Sequence, residues 1–177
     1  VIDMTVDANF KLKTLNTKSA KDAAEDLERC CGSHAWVEKM LTRRPFHSVD
    51  ELFSAADDIW FKLAAEDWLE AFAHHPRIGG DVEALRAKFA STASWAENEQ
   101  RGVSQATEDV LHQLAKLNDD YFEKYGYIFI VCATGKSAEE MLEILKGRLP
   151  NDKEKELKVA AGEQAKITKI RLEKLIT

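Results

Sequence analysis

Apolar residues recur at three- and four-residue spacing along most of the chain, the periodicity of amphipathic helices. Ser19 is placed to cap a helix over Ala20 to Arg29 with Ala23, Ala24 and Leu27 inward, and Cys30-Cys31-Gly32 to stop it, since glycine tolerates left-handed backbone. A short helix follows Ser33, carries Trp36, Val37, Met40 and Leu41, and ends before Pro45. Ser48-Val49-Asp50-Glu51 reads as a capping box for a third helix with the face Leu52, Phe53, Ala56, Ile59, Trp60 and Leu63. Trp68, Leu69, Phe72 and Ala73 keep helical spacing up to His74-His75-Pro76-Arg77-Ile78-Gly79-Gly80, where proline and glycines force a turn.

Beyond that turn, Asp81 to Ala90 reads as helix, Ser91 to Trp95 as loop, and Ala96 to Gln100 as a short helix ended by Gly102. From Thr107 to Tyr125, Val110, Leu111, Leu114, Leu117, Tyr121 and Phe122 mark a long amphipathic helix closed by Gly126. Tyr127 to Ala133 is a continuous apolar run with strand propensity, but no other segment offers it a partner, so extended backbone in a helical setting is expected. Ser137-Ala138-Glu139-Glu140 is a second capping box, opening a helix with Met141, Leu142, Ile144 and Leu145 inward and Arg148 near its end at Pro150-Asn151. The last helix starts near Asp152 and carries Leu157, Ala160, Ala161, Ile167, Ile170, Leu172 and Leu175 on one stripe, with Arg171 beside it. The pattern predicts an all-α, single-domain multi-helix bundle over residues 1–177 with one short extended apolar segment, residues 1–18 forming a loosely ordered N-terminal extension.

Composition narrows the function. A chain of 177 residues fits one ordinary domain and buries roughly two-thirds of its unfolded surface. The net charge of -6 is spread along the chain, which leaves no basic face for nucleic acid, so an anionic metabolite would need a cation placed locally. Three cysteines, Cys30, Cys31 and Cys132, form an odd set without CxxC spacing and point to a reducing compartment. No apolar run nears the ~18 residues of a membrane span, and Val1 to Phe10 is too acidic and broken for a secretory signal. The expected address is the cytoplasm, with neither membrane nor nucleic acid as partner.

Three places carry candidate chemistry. His75 precedes a proline that disfavours helix at the histidine, so its imidazole stands at a bend and suits proton transfer; a histidine there can also simply end a helix on a last-turn carbonyl. Glu99-Gln100 sets a carboxylate beside a carboxamide, a pair able to read a urea-like group, although a glutamate so placed is also an ordinary surface charge. Arg171 offers a planar fork for a carboxylate, or a surface ion pair with Glu173. Neither HExxH nor paired CxxC supports a metal, and phosphate loops and GxSxG elbows are missing from the sequence.

Taken in order, Trp68 to Gly79, Glu99-Gln100, Leu117 to Ile130 with its Asn118-Asp119-Asp120-Tyr121-Phe122 core, Leu145 to Asn151, Glu163 to Ile167 and Arg171-Leu172 resemble the family of 2-oxo-4-hydroxy-4-carboxy-5-ureidoimidazoline (OHCU) decarboxylases of urate breakdown. The likeness runs from about Leu27 onward. It implies an all-helical fold, a homodimer, no metal or organic cofactor, and the loss of carbon dioxide from OHCU to give (S)-allantoin. By motif, His75 matches the catalytic histidine, Pro76 its neighbour in the pocket, and Glu99 and Gln100 the Glu-Gln pair. Phe129, Ile130, Val131, Cys132 and Ala133 match a pocket wall whose backbone meets the ligand, and Ile167 and Arg171 match positions that close the site. Ala96 departs from the family, which often carries serine there. In a eukaryotic host the resemblance also admits a peroxisomal address. The competing readings are a non-catalytic helical binding module, which would not accelerate OHCU decay, and a metal-dependent ureide hydrolase, which chelation would stop.

Overall fold

Serines start four of the helices in the computed structural model, which describes residues 4–77, 79–89 and 101–177. The hydroxyls of Ser19, Ser33, Ser48 and Ser137 accept from the N–H groups of Asp22, Trp36, Glu51 and Glu140, at 3.1, 3.3, 3.0 and 3.2 Å. Each satisfies a donor of the first turn that has no partner inside its helix. The helices they open are α2 (Ala20–Cys30), α3 (His34–Arg43), α4 (Val49–Phe61) and α8 (Ala138–Arg148). The others are α1 (Met4–Thr17), α5 (Ala65–Ala73), α6 (Val82–Phe89), α7 (Arg101–Tyr125) and α9 (Lys153–Ile176). No strand occurs among the described residues, and the fold is all-α as expected.

The chain divides into two compact units, one of residues 1–74 with 161–177 and one of residues 75–160. In the first, Trp36, Met40, Leu52, Leu27 and Leu172 are fully buried, each contributing about 1.5–3 kcal/mol of transfer free energy. Its indoles are satisfied by backbone: Trp36 Nε1 donates to the Ala56 carbonyl at 3.2 Å, Trp60 to Ala161 at 2.9 Å and Trp68 to Trp60 at 2.9 Å. The α1 helix occupies a stretch for which the sequence pattern gave only an extension. Its Leu12 and Leu15 are buried, and the Asn16 amide exchanges two 2.8 Å hydrogen bonds with the backbone of Phe46.

In the second unit α7 packs against α6 and α8. The end of α7 is tied to the turn after α8: the Tyr125 hydroxyl donates to the Asn151 carbonyl at 2.6 Å, and the Lys124 ammonium donates to the same oxygen at 3.1 Å. Leu111, Leu114, Tyr121, Met141, Leu142 and Leu145 are buried between these elements.

Several local expectations change. Gly32 does not take left-handed backbone; α2 ends on an extended Cys31, and glycine is required because a Cβ at position 32 would collide with the His74 ring. On α5, Leu69 is 41% exposed and Ala73 is exposed, because the helix buries Ala71 and Phe72 instead. Gly102 ends no helix, since α7 begins at Arg101 and runs through it. The buried stripe of α9 is Glu156, Ala160, Ala161, Gln164, Thr168, Leu172 and Ile176, whereas Leu157, Ile167, Ile170 and Leu175 are half-buried. Polar residues sit inside because partners await them: Gln164 Nε2 donates to Thr168 Oγ1 at 3.0 Å, and Thr168 in turn bonds the Cys31 thiol. The readings of Ser91 to Gln100 lie outside the described residues.

Candidate active site

The two adjacent histidines have different surroundings. His74 caps α5, its N–H donating to the Ala71 carbonyl at 3.2 Å, and its ring lies against Gly32. His75 stands at a bend just after α5 and is half-buried, with Pro76 and Arg77 exposed after it and a turn at Gly79 and Gly80. Pro76 keeps His75 out of the helix, so the imidazole leaves the chain at the bend rather than along the face of α5.

The turn is held by one face of α7. Asn118 Nδ2 donates to the Gly79 carbonyl at 3.3 Å. The Arg77 guanidinium carbon lies 3.8 Å from the centre of the Phe122 ring, and its Nη2 is 3.8 Å from Asp119 Oδ1. Asn118 and Phe122 are four residues apart and so share a helix face. Gly79 has φ +55, the left-handed region that favours glycine, and a Cβ at Gly80 would meet the Asp119 carboxylate. Two consecutive glycines thus let the turn come close to α7.

Residues 127–133 form neither helix nor strand: Tyr127 stands at a bend, and the run that the pattern marked as apolar follows it. Ile130, Val131 and Cys132 are buried, Phe129 and Ala133 half-buried. Two carbonyls of this segment are taken by side chains: Arg148 Nη1 donates to Ile130 O at 2.7 Å and Lys136 Nζ to Cys132 O at 2.8 Å. Arg148 is 7% exposed, and its Nε donates to Oε2 of fully buried Glu156 at 2.9 Å. The Tyr121 hydroxyl donates to the same oxygen, and Asn151 Nδ2 donates to Oε1 at 3.0 Å. Burial, and then that bond to Glu156, pushes the Tyr121 phenol far above its ordinary range.

Ile167 and Arg171 are half-buried on α9, four residues apart on one face. Arg171 forms no salt bridge or hydrogen bond among the described residues, and the pairing with Glu173 that the sequence left open does not occur. Its charge instead acts on the buried thiols beside it. Burial pushes Cys30 up to about 11 and Cys31 up to about 12, and Arg171 offsets a part of each rise. Ala96, Glu99 and Gln100 lie outside the described residues. His75, Pro76 and residues 129–133 belong to the unit of residues 75–160, Ile167 and Arg171 to the other.

Sequence reasoning passed over Glu156, Tyr121 and Asn118 as functional candidates and gave Arg148 no role. A signal for Arg148 existed, because it continues the inward spacing of Met141 and Leu145, where a charged residue requires a buried partner. Among the described residues no group of three or more His, Cys, Asp or Glu could hold a metal ion, and no helix is long and apolar enough to cross a membrane.

Comparison with known proteins converges on one family. The uric acid degradation bifunctional protein TTL of Arabidopsis thaliana is 38% identical over 150 residues, covering 84% of this chain and 45% of that protein. The 2-oxo-4-hydroxy-4-carboxy-5-ureidoimidazoline decarboxylase of Haloferax volcanii is 29% identical over 138 residues, covering 77% of this chain and 79% of that one. A solved structure described as OHCU decarboxylase in the presence of (S)-allantoin matches with a TM-score of 0.66 at 38% identity, covering 84% of this chain and 95% of its own. Against three bifunctional urate-degradation proteins the chain spans only 45%, 32% and 33% of their length. The sequence model of OHCU decarboxylases matches residues 16–173, from the end of α1 to the last turns of α9, and the chain belongs to the OHCU decarboxylase family.

Proposed function

We propose that this chain removes carbon dioxide from OHCU to give (S)-allantoin, the last step of urate oxidation, without a metal or organic cofactor. The observation that carries the reading is the match at 38% identity to 95% of a solved OHCU decarboxylase. The described geometry agrees with it in offering a histidine at a clamped bend, an apolar segment outside helix and strand, and an arginine without an ion-pair partner among the described residues.

When carbon dioxide leaves, its bonding electron pair stays on the ring carbon, and the unsaturated ring next to it takes up that charge. The substrate is its own electron sink, which is the service an organic cofactor otherwise supplies. The protein must hold the carboxylate out of the ring plane and bring one proton to one face, which fixes the hand of the product. His75 is the proposed proton-transfer group, a side-chain type that both takes and gives a proton near neutral pH. Glu99 orients it or accepts from the ureido N–H groups with Gln100, and Arg171 anchors a substrate oxygen. Pro76, Ala96, Phe129 to Ala133 and Ile167 bound the substrate. The same reading makes the protein a homodimer located in the cytoplasm, or in the peroxisome of a eukaryote; sedimentation velocity tests the first statement.

OHCU generated in situ with uricase and hydroxyisourate hydrolase gives a direct assay. Added protein is expected to speed the absorbance decay and to yield optically active allantoin. His75→Asn is expected to lower that acceleration by about 10²- to 10⁴-fold while keeping the native far-UV circular dichroism. Unchanged decay to racemic product from folded protein would overturn the assignment.

A further inference from the structure

Residues 127–133 form neither helix nor strand, so their backbone groups need partners outside any helix or ladder. Arg148 supplies one, donating from Nη1 to the Ile130 carbonyl at 2.7 Å, with its guanidinium carbon 4.7 Å from the centre of the Phe129 ring. The guanidinium is itself fixed, because Nε and Nη2 both donate to Glu156 Oε2, a carboxylate also held by Tyr121 and Asn151. A planar fork with five donors can serve a carboxylate on one edge and a carbonyl on the other; a lysine ammonium cannot do both in fixed directions.

Stability alone is a weak reason to bury such a pair, since apolar residues of similar volume commonly hold a core as well. What distinguishes this one is that Nη1, which makes no bond to Glu156, donates to a carbonyl of the segment.

We propose that Arg148, braced by Glu156, is a positioning residue that fixes the course of residues 127–133 so that the backbone of this segment meets the substrate. The inference rests on the decarboxylase reading. Backbone contacts of this kind hold ground state and transition state alike, so their loss appears in KM more than in kcat.

Arg148→Lys is compared with the wild type for amide hydrogen exchange in residues 127–133 and for OHCU kinetics. The expected result is faster exchange in that segment, a KM raised by about tenfold, and kcat changed by less than about threefold. If the lysine variant does not fold, Arg148→Met combined with Glu156→Leu removes the donor to Ile130 without stranding a buried charge, and the same results are expected of it. Unchanged exchange overturns the inference, as does unchanged KM or a loss confined to kcat. A wild-type protein inactive on OHCU would instead sink the decarboxylase reading, and exchange alone would then decide whether Arg148 pins the segment.

Discussion

Glutamine at position 156 would keep the shape of the side chain and remove its charge, which isolates what the carboxylate contributes. Glu156 is fully buried and Arg148 is 7% exposed, so the substitution strands a guanidinium almost out of water. The carboxamide also brings an N–H pair against donors, because both carboxylate oxygens now accept: Oε2 from Arg148 and Tyr121, Oε1 from Asn151. Leaving one partner of a buried pair uncompensated costs about 3–5 kcal/mol, a large share of the roughly 5–15 kcal/mol that holds a domain. With a urea m-value of about 2 kcal/mol/M for a chain of this size, the unfolding midpoint should fall by about 2 M. Urea titration followed by far-UV circular dichroism reads this directly. Arg148→Met should cost a similar amount by stranding the carboxylate, whereas the double variant with Glu156→Leu should cost less than the sum of its singles by about 2 kcal/mol or more. A glutamine variant within about 1 kcal/mol of wild type, or an additive cycle, would refute the reasoning.

Gly32→Ala places a methyl group into the His74 ring and should cost about 1–3 kcal/mol in thermal denaturation, with His74→Ala restoring much of the loss; an unchanged melting temperature would show that the ring moves aside freely. The unfolded thiols of Cys30 and Cys31 release protons near pH 9.0 and the folded ones near 11 and 12, so between those values the folded state holds more protons and loses stability as pH rises, by up to about 1.4 kcal/mol per pH unit per thiol. Below pH 9 this contribution is constant, and replacing both cysteines by alanine should flatten the alkaline fall of the urea midpoint. Arg171→Ala should raise the KM for OHCU by about 10- to 100-fold, the worth of a hydrogen bond to a charged group, with Arg171→Lys intermediate; an unchanged KM would remove Arg171 from substrate binding.

What could be read from the sequence was what is decided within a few residues. The capping hydroxyls of Ser19, Ser33, Ser48 and Ser137 act three residues ahead, and all four occur. The long spacing pattern ending at Tyr125 and the unpaired apolar run after it were equally local. Misreadings fall where partners come from far along the chain. The face of α9 was assigned by hydropathy, yet Glu156 goes inside because of Tyr121, thirty-five positions earlier, and Thr168 because of Cys31. Gly32 signalled a special backbone, but its reason is a histidine ring arriving from the end of α5. His75 was visible through the proline beside it, whereas the bracing of its turn by Asn118 required knowing which face of α7 it meets.

The first unit is discontinuous in sequence, and that has a consequence for the order of synthesis. Its Trp60 indole donates to a carbonyl 101 positions later, at Ala161. A nascent chain leaving the ribosome carries Ile59, Trp60 and their neighbours without the helix that covers them until the whole of residues 75–160 has been made. The intervening unit, whose contacts are nearer in sequence, can assemble while its host is still waiting.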